Sequence, residues 1–365
     1  MQRRRREFVG GVAAALSVAG AGSGATLAAG KSTRAAPPPA GTKRIATEEA
    51  CTIREITSAA SRLFNGVQSM ASGPIKGHLV ELLEDIGPGR IAGMDAAGVD
   101  MQLLSVTAPG VQIFDAPTGT DLARLFNDKL ADTIKTHPTR FAGLAAVAPQ
   151  DPNAAAKELE RAVQRLGMKG ALINSHTHGE YLSLPKYWPI FEAAEALEVP
   201  IYLHPREPVS GLAVAGAIPG HAVGWGWTVE TASHALSLIS AGVFDRFEKL
   251  TLVLGHLGES LPYLLDRLDN RYLWITNFFK VPRAKLLPSE YFRRNFVVTT
   301  SGMNYDAPLR AAIAQLGIEK VLFAIDYPYE LQRESLRLML EFNVSPDEKR
   351  MLLETNARRV FKITA

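Results

Sequence analysis

The sequence predicts an α/β fold, a (β/α)8 TIM barrel, on three observations. From residue 42 onward, eight short runs rich in Val, Ile and Leu alternate with segments of helical character. These runs are continuously apolar, the pattern of parallel strands buried on both faces. Four of them lead directly into residue types that bind metals: Glu48, His204, His256 and Asp326. In a (β/α)8 barrel the C-terminal strand ends converge on one mouth, where active sites are built. Side chains from opposite ends of the chain can therefore share one ion.

The strands are expected at Arg44–Glu48, Asp100–Val106, Phe141–Val147, Lys169–Asn174, Val199–His204, Leu250–Gly255, Phe296–Thr300 and Val321–Ile325. Helices are expected between them, over Thr120–Thr136, Asp151–Leu166, Lys186–Leu197, Val229–Ser240, Glu259–Asn277, Ala307–Leu316 and Leu331–Phe342, with a last one from Ser345 to Lys362. Asp151 is a suitable N-cap and Gly167 a suitable terminator for the second. A doubly wound open sheet is the main alternative, but no Gly-rich dinucleotide fingerprint follows the first strand. Two stretches exceed what a barrel loop needs, Thr52–Gly77 and Pro205–Trp227, and both follow strands that end in candidate ligands. Long loops in that position are where barrels place specificity.

The chain divides into residues 1–30, an export signal; 31–41, a Pro-rich linker; and 42–365, a single catalytic barrel. Arg5-Arg6-Glu7-Phe8-Val9 is a twin-arginine pattern ahead of a Gly/Ala-rich run, and it predicts an exported, periplasmic bacterial protein. The Gly, Ala and Ser content makes that run too weakly apolar for a stable membrane anchor. The formal net charge of +3 comes from this segment, where Arg3 to Arg6, Lys31 and Arg34 face only Glu7. The remainder is near neutral, which gives no electrostatic case for nucleic acid. A single cysteine, Cys51, excludes an intrachain disulfide.

Each strand-end residue has an ordinary reading taken alone. Glu48 can be a solvated strand end, His204 a turn histidine, His256 a loop residue bonded to its own backbone, and Asp326 a turn former. Four of them, at the ends of strands one, five, six and eight, instead predict one site, because strands one and eight are barrel neighbours, as are five and six. Carboxylates with imidazoles suit one Mn²⁺ or Zn²⁺ with positions open to water or substrate, and no organic cofactor is required. His176 and His178 form a His-x-His pair after the fourth strand, which reads as active-site wall or as a second metal site, the wall being the expectation. Trp225 and Trp227 can stack on an aromatic substrate or pack their own loop. His221 and His234 are read as loop and helix residues, and Glu230 as a helix residue near the site without an assigned role.

Ile45-Ala46-Thr47-Glu48-Glu49-Ala50, Val147-Ala148-Pro149-Gln150-Asp151-Pro152, Ile173-Asn174-Ser175-His176-Thr177, Leu203-His204-Pro205, Gly255-His256-Leu257-Gly258-Glu259, Leu261-Pro262-Tyr263 with Arg267, Asp326-Tyr327-Pro328-Tyr329 and Asn356-Ala357-Arg358-Arg359 occur in this order. The set resembles the amidohydrolase superfamily in its decarboxylase branch, which includes γ-resorcylate, aminocarboxymuconate-semialdehyde and 5-carboxyvanillate decarboxylases; the last looks most similar. The resemblance implies that Glu48, His204 and Asp326 are the metal ligands. It makes His256 the catalytic histidine, Glu259 the acid bonded to it, and Arg267 and Tyr329 substrate neighbours. Ala50 replaces a histidine that many members carry two residues after the first ligand, a departure shared with the carboxyvanillate-like group. The substrate-binding Arg of the family's segment corresponding to 57–77 has no clear counterpart here.

Three functions are consistent with these residues. The first is non-oxidative decarboxylation of a small hydroxylated aromatic acid, with Asp326 protonating the ring carbon. The second is metal-assisted hydrolysis of a lactone, ester or amide, with Asp326 as general base. The third is a binding barrel without activity. The resemblance favours the first, and implies a homo-dimer or tetramer.

Overall fold

In the computed structural model, which describes residues 35–63, 76–209, 212 and 221–364, every expected strand forms. They are β1 (Ile45–Cys51), β2 (Met101–Val106), β3 (Phe141–Gly143), β4 (Ala145–Ala146), β5 (Ala171–Asn174), β6 (Ile201–His204), β7 (Leu252–Leu254), β8 (Phe296–Thr299) and β9 (Val321–Leu322). All pair in parallel, β1 to β3 in one ladder and β4 to β9 in another. β3 and β4 are one barrel strand interrupted at Leu144. The Leu144 N–H donates back to the Leu104 carbonyl at 2.9 Å, and the Ala145 N–H donates forward to Gly170 at 2.8 Å. The seam between β9 and β1 closes through Thr47 N–H to the Phe323 carbonyl (3.1 Å), Asp326 N–H to Glu48 (2.9 Å) and Ala50 N–H to Tyr327 (2.8 Å). Eight barrel strands result, as the alternation predicts. Leu103, Ile173, Leu203, Leu254, Val298 and Phe323 are buried among them, which explains why the strands read as unbroken apolar runs.

Helix boundaries follow local chemistry. The Asp151 side chain accepts the Ala154 N–H at 3.0 Å and Gly167 ends that helix at φ 74°, as expected. Ser345 and Glu348 form a capping box that starts Pro346–Arg350.

Two expectations are corrected. The expected helix Glu259–Asn277 is broken at its start. His256, Leu257, Gly258, Glu259 and Ser260 all have positive φ, and the regular helix runs over Leu265–Phe279. Such a run costs energy in L-residues and is retained where surrounding contacts enforce it. Secondly, the stretch Thr52–Gly77 carries a helix over Arg54–Leu63, and its residues 64–75 lie outside the described residues. Helices Lys76–Glu84 and Pro88–Ala97 precede β2, where none was expected.

The expected export signal lies outside the described residues. The linker's described part, 35–41, is irregular, and the Lys349 ammonium holds it by donating to the Ala36 carbonyl at 2.6 Å. Among the described residues, no helix is long and apolar enough to cross a membrane.

Candidate metal centre and active site

The barrel brings Glu48, His204 and Asp326 together as expected: one ligand atom from each lies within 4.8 Å of the others. A bulge in β1 aims the first of them. In the β1–β2 register Ala46 faces Gln102 and Glu49 faces Leu104, so Thr47 and Glu48 together oppose Leu103 alone. The extra residue re-aims the strand end, a common use of bulges beside active sites. Gly255 then leaves the space the carboxylate needs. A Cβ at that position would lie 2.8 and 2.9 Å from the two Glu48 oxygens.

Glu48 is fully buried, yet its two oxygens are treated differently. Oε2 accepts from three hydroxyls, those of Tyr202, Thr299 (2.7 Å) and Ser301. Oε1 is buried with no hydrogen-bond donor, 3.5 Å from His204 Nε2. Burial opposes the Glu48 charge. His256, His204 and the hydroxyls outweigh that cost and hold its pKa below the usual value of 4.5.

His204 closes β6 and is almost buried. Its Nδ1 is 2.8 Å from the Pro205 carbonyl, which can only accept. The proton is therefore on Nδ1, and the Nε2 lone pair is free for an ion. An orphaned carboxylate oxygen, an imidazole lone pair and a second carboxylate form an O/N donor set that fits one divalent cation.

Asp326 follows β9 with φ 76°, a left-handed conformation that Asp tolerates better than most non-glycine residues. Burial raises its pKa above 3.8, and the neighbouring Glu48 charge adds to this against the opposing effect of His256.

His256 Nε2 is 3.6 Å from Asp326 Oδ2, and its Nδ1 is 2.8 Å from Glu259 Oε1. Burial disfavours the imidazolium, but Glu259, Glu48 and Asp326 outweigh it and raise the pKa well above 6.5. Glu259 therefore bonds His256 as the resemblance implied. Tyr329 is on the turn after Asp326, its N–H bonded to the Asp326 carbonyl at 2.8 Å and its hydroxyl 2.6 Å from that of Thr107.

The remaining candidates have the following surroundings. Arg267 is exposed on the helix Leu265–Phe279 and, among the described residues, makes no hydrogen bond or ion pair. Trp225 is half exposed in the turn Ala222–Trp227, beside the exposed His221. Both His176 nitrogens are occupied: Gly179 N–H donates to Nδ1 at 3.1 Å, and Nε2 donates to the Glu207 carbonyl at 2.9 Å. His178 is exposed. The alternative of a second metal site on this pair does not form; His176 instead braces two mouth loops. Glu230 and His234 belong to a buried network with Ser175 and Tyr181.

Sequence reasoning missed Tyr202, Thr299 and Ser301, because Tyr and Thr are common strand formers in their own right. A signal did exist. Tyr202 is two residues before His204, and alternate strand residues share a face.

The chain matches the amidohydrolase family model over residues 75–363. It is similar to 5-carboxyvanillate decarboxylase from Sphingomonas paucimobilis, at 44% identity and TM-score 0.84, with 88% of this chain and 100% of that chain covered. The corresponding enzyme from Novosphingobium aromaticivorans was solved with manganese and 4-hydroxy-3-methoxy-5-nitrobenzoic acid. It is 35% identical at TM-score 0.83, over 88% of this chain and 96% of that one. γ-Resorcylate decarboxylase from Polaromonas sp. strain JS666 is 39% identical over 292 residues, 77% of this chain and 89% of its own length. This chain belongs to the amidohydrolase family, in the branch that contains the γ-resorcylate and 5-carboxyvanillate decarboxylases.

Proposed function

We infer that this protein is a metal-dependent, non-oxidative decarboxylase of a hydroxylated aromatic acid whose hydroxyl is ortho to the departing carboxylate. The observation that carries this reading is the pairing of a cation site with a proton-carrying carboxyl, Asp326, backed by His256 at 3.6 Å. Glu48, His204 and Asp326 would hold one divalent cation, with manganese favoured by the relatives solved with it. When bound, the cation supplies a Lewis acid that orients and polarises the oxygens of the acid.

The chain's own residues do the proton work. Asp326 gives its proton to the ring carbon bearing the carboxylate; a C–H bond forms from a ring electron pair and aromaticity is lost. The bond to the carboxylate then breaks, its electron pair returns to the ring, and CO₂ leaves. His256, partly open to solvent, is placed to return a proton to Asp326. The ortho hydroxyl is needed because its lone pair supports the positive charge that protonation puts on the ring.

Incubating manganese-loaded protein with 5-carboxyvanillate, γ-resorcylate and other hydroxybenzoates should release CO₂. In D₂O, one deuterium should enter at the vacated carbon. Turnover of lactones or aryl esters with no CO₂ from any acid would overturn the assignment.

The same reading extends to assembly and location. The face of the helix Leu265–Phe279 exposes Trp274 (52%), Ile275, Phe278 (65%) and Phe279, a patch of the kind that marks interfaces. It supports a homo-dimer or tetramer, which light scattering would detect. The Arg5-Arg6 pair supports export to the periplasm, and cell fractionation of an Arg5→Lys/Arg6→Lys variant would show precursor retained inside.

A further inference from the structure

We propose that Ser301 is a positioning residue that couples the metal-ligand end of the site to its proton-transfer end. The proposal rests on the metal-centre reading above. Ser301 is completely buried just beyond β8, two residues after Thr299. Its hydroxyl has one proton to give and lone pairs to receive. The proton goes to Glu48 Oε2. A lone pair receives the His256 backbone N–H at 3.0 Å. Tyr202 and Thr299 also donate to Glu48 Oε2, but neither hydroxyl is bonded to His256.

His256 opens the left-handed run that ends at Ser260, with φ 49°, so its backbone has little support from regular structure. Gly302, next to Ser301, leaves room for the ring: an added Cβ there would lie 3.3 Å from His256 Cδ2. His256 is therefore held by Ser301 through its backbone and by Glu259 through Nδ1. A cation held by Glu48 would fix the orientation of its carboxylate. The orientation of Oε2 fixes the Ser301 hydroxyl. That hydroxyl in turn fixes the lone pair offered to His256.

The test needs no substrate. Manganese affinity, read from the free Mn²⁺ signal in electron paramagnetic resonance, should weaken about tenfold in Tyr202→Phe, Thr299→Val and Ser301→Ala alike, the scale usual for partners behind a metal ligand. Hydrogen exchange of residues 255–261 separates them. Saturating Mn²⁺ should slow exchange there at least about tenfold in the wild type and in Tyr202→Phe, but not in Ser301→Ala; Ser301→Thr, which restores the hydroxyl, should recover the protection. Equal protection in Ser301→Ala would overturn the coupling. Failure of the wild type to bind Mn²⁺ would instead overturn the metal centre itself.

Discussion

Two buried clusters in this barrel combine a glutamate with a histidine, and they differ in what they leave unpaired. In one, Glu230 accepts from Ser175 (2.7 Å), Tyr181 (2.9 Å) and the Val209 N–H (3.2 Å). His234 accepts the Leu182 N–H on Nε2 at 2.9 Å, so its Nδ1 carries the proton and donates to Ser175 at 3.0 Å. Every donor and acceptor there is satisfied. In the other, three hydroxyls occupy one oxygen of Glu48, its second oxygen has no donor, and the His204 Nε2 lone pair points to the same space. A buried lone pair without a donor costs free energy unless something binds it. The first cluster is complete as protein; the second is complete only with a cation. Residue type does not separate them, whereas the count of unfilled lone pairs does.

Four substitutions can break or sharpen that contrast. The largest effect is expected at Asp326→Asn. Loss of the proton carrier should lower kcat by about 10³-fold, a usual scale for acid–base catalysis, with part of the metal retained on elemental analysis. Near wild-type CO₂ release would refute its role. Glu48→Gln comes next. It swaps a charged ligand for a neutral amide, and manganese affinity should fall about 10- to 100-fold or more, measured by titration of the metal-free protein.

Glu230→Gln should behave in the opposite way: unfolding in urea should show a loss of about 1–3 kcal/mol from broken buried hydrogen bonds, while manganese stoichiometry stays at that of the wild type. Metal loss in this variant would collapse the distinction between the clusters.

The effect that is smallest near neutral pH is a pH dependence. Burial, with a minor contribution from His176, pushes the His234 pKa down to about 3. An unfolded histidine binds its proton near pH 6.5 and the folded one does not, so between these values the unfolded state holds more protons. Stability from this residue is full above pH 6.5 and declines as pH falls towards 3, on the order of 1 kcal/mol per pH unit. His234→Gln should flatten the unfolding free energy from urea titrations against pH over that window by this slope.

The strands and the ends that carry ligands were legible because burial on two faces leaves a continuous apolar signature and barrel topology gathers its ends. Asp151 and Gly167 were legible because caps are local. The helices Arg54–Leu63 and Pro88–Ala97 were not. The first has a regular apolar period but is short, with few large apolar residues among Ala, Ser and charged ones, and the second has three glycines at its entry and interior, Gly87, Gly89 and Gly93, which weaken its period. The break after His256 was hidden because only two of its residues, Gly255 and Gly258, hint at it; the positive φ values of Leu257 and Glu259 are imposed by tertiary contacts. At the site, residue type and strand-end position picked out Glu48, His204, His256 and Asp326, and the family resemblance divided them into three ligand candidates and a proton partner. Neither could reveal that Glu48 has one occupied oxygen and one empty one, which depends on hydroxyls from β6 and the end of β8.

The seam of the barrel gives the ion a second role. Glu48 and Asp326 belong to the first and last barrel strands, which meet through the bonds that close the cylinder. A cation held by both would fasten the join like a rivet in a rolled sheet. During synthesis the site cannot exist until the eighth strand has been made, so metal capture is a late event, gated by completion of the ring. Because the ion binds the closed ring and not the open chain, its binding energy adds to the stability of closure, and scarcity of the metal would be felt first as opening along this line.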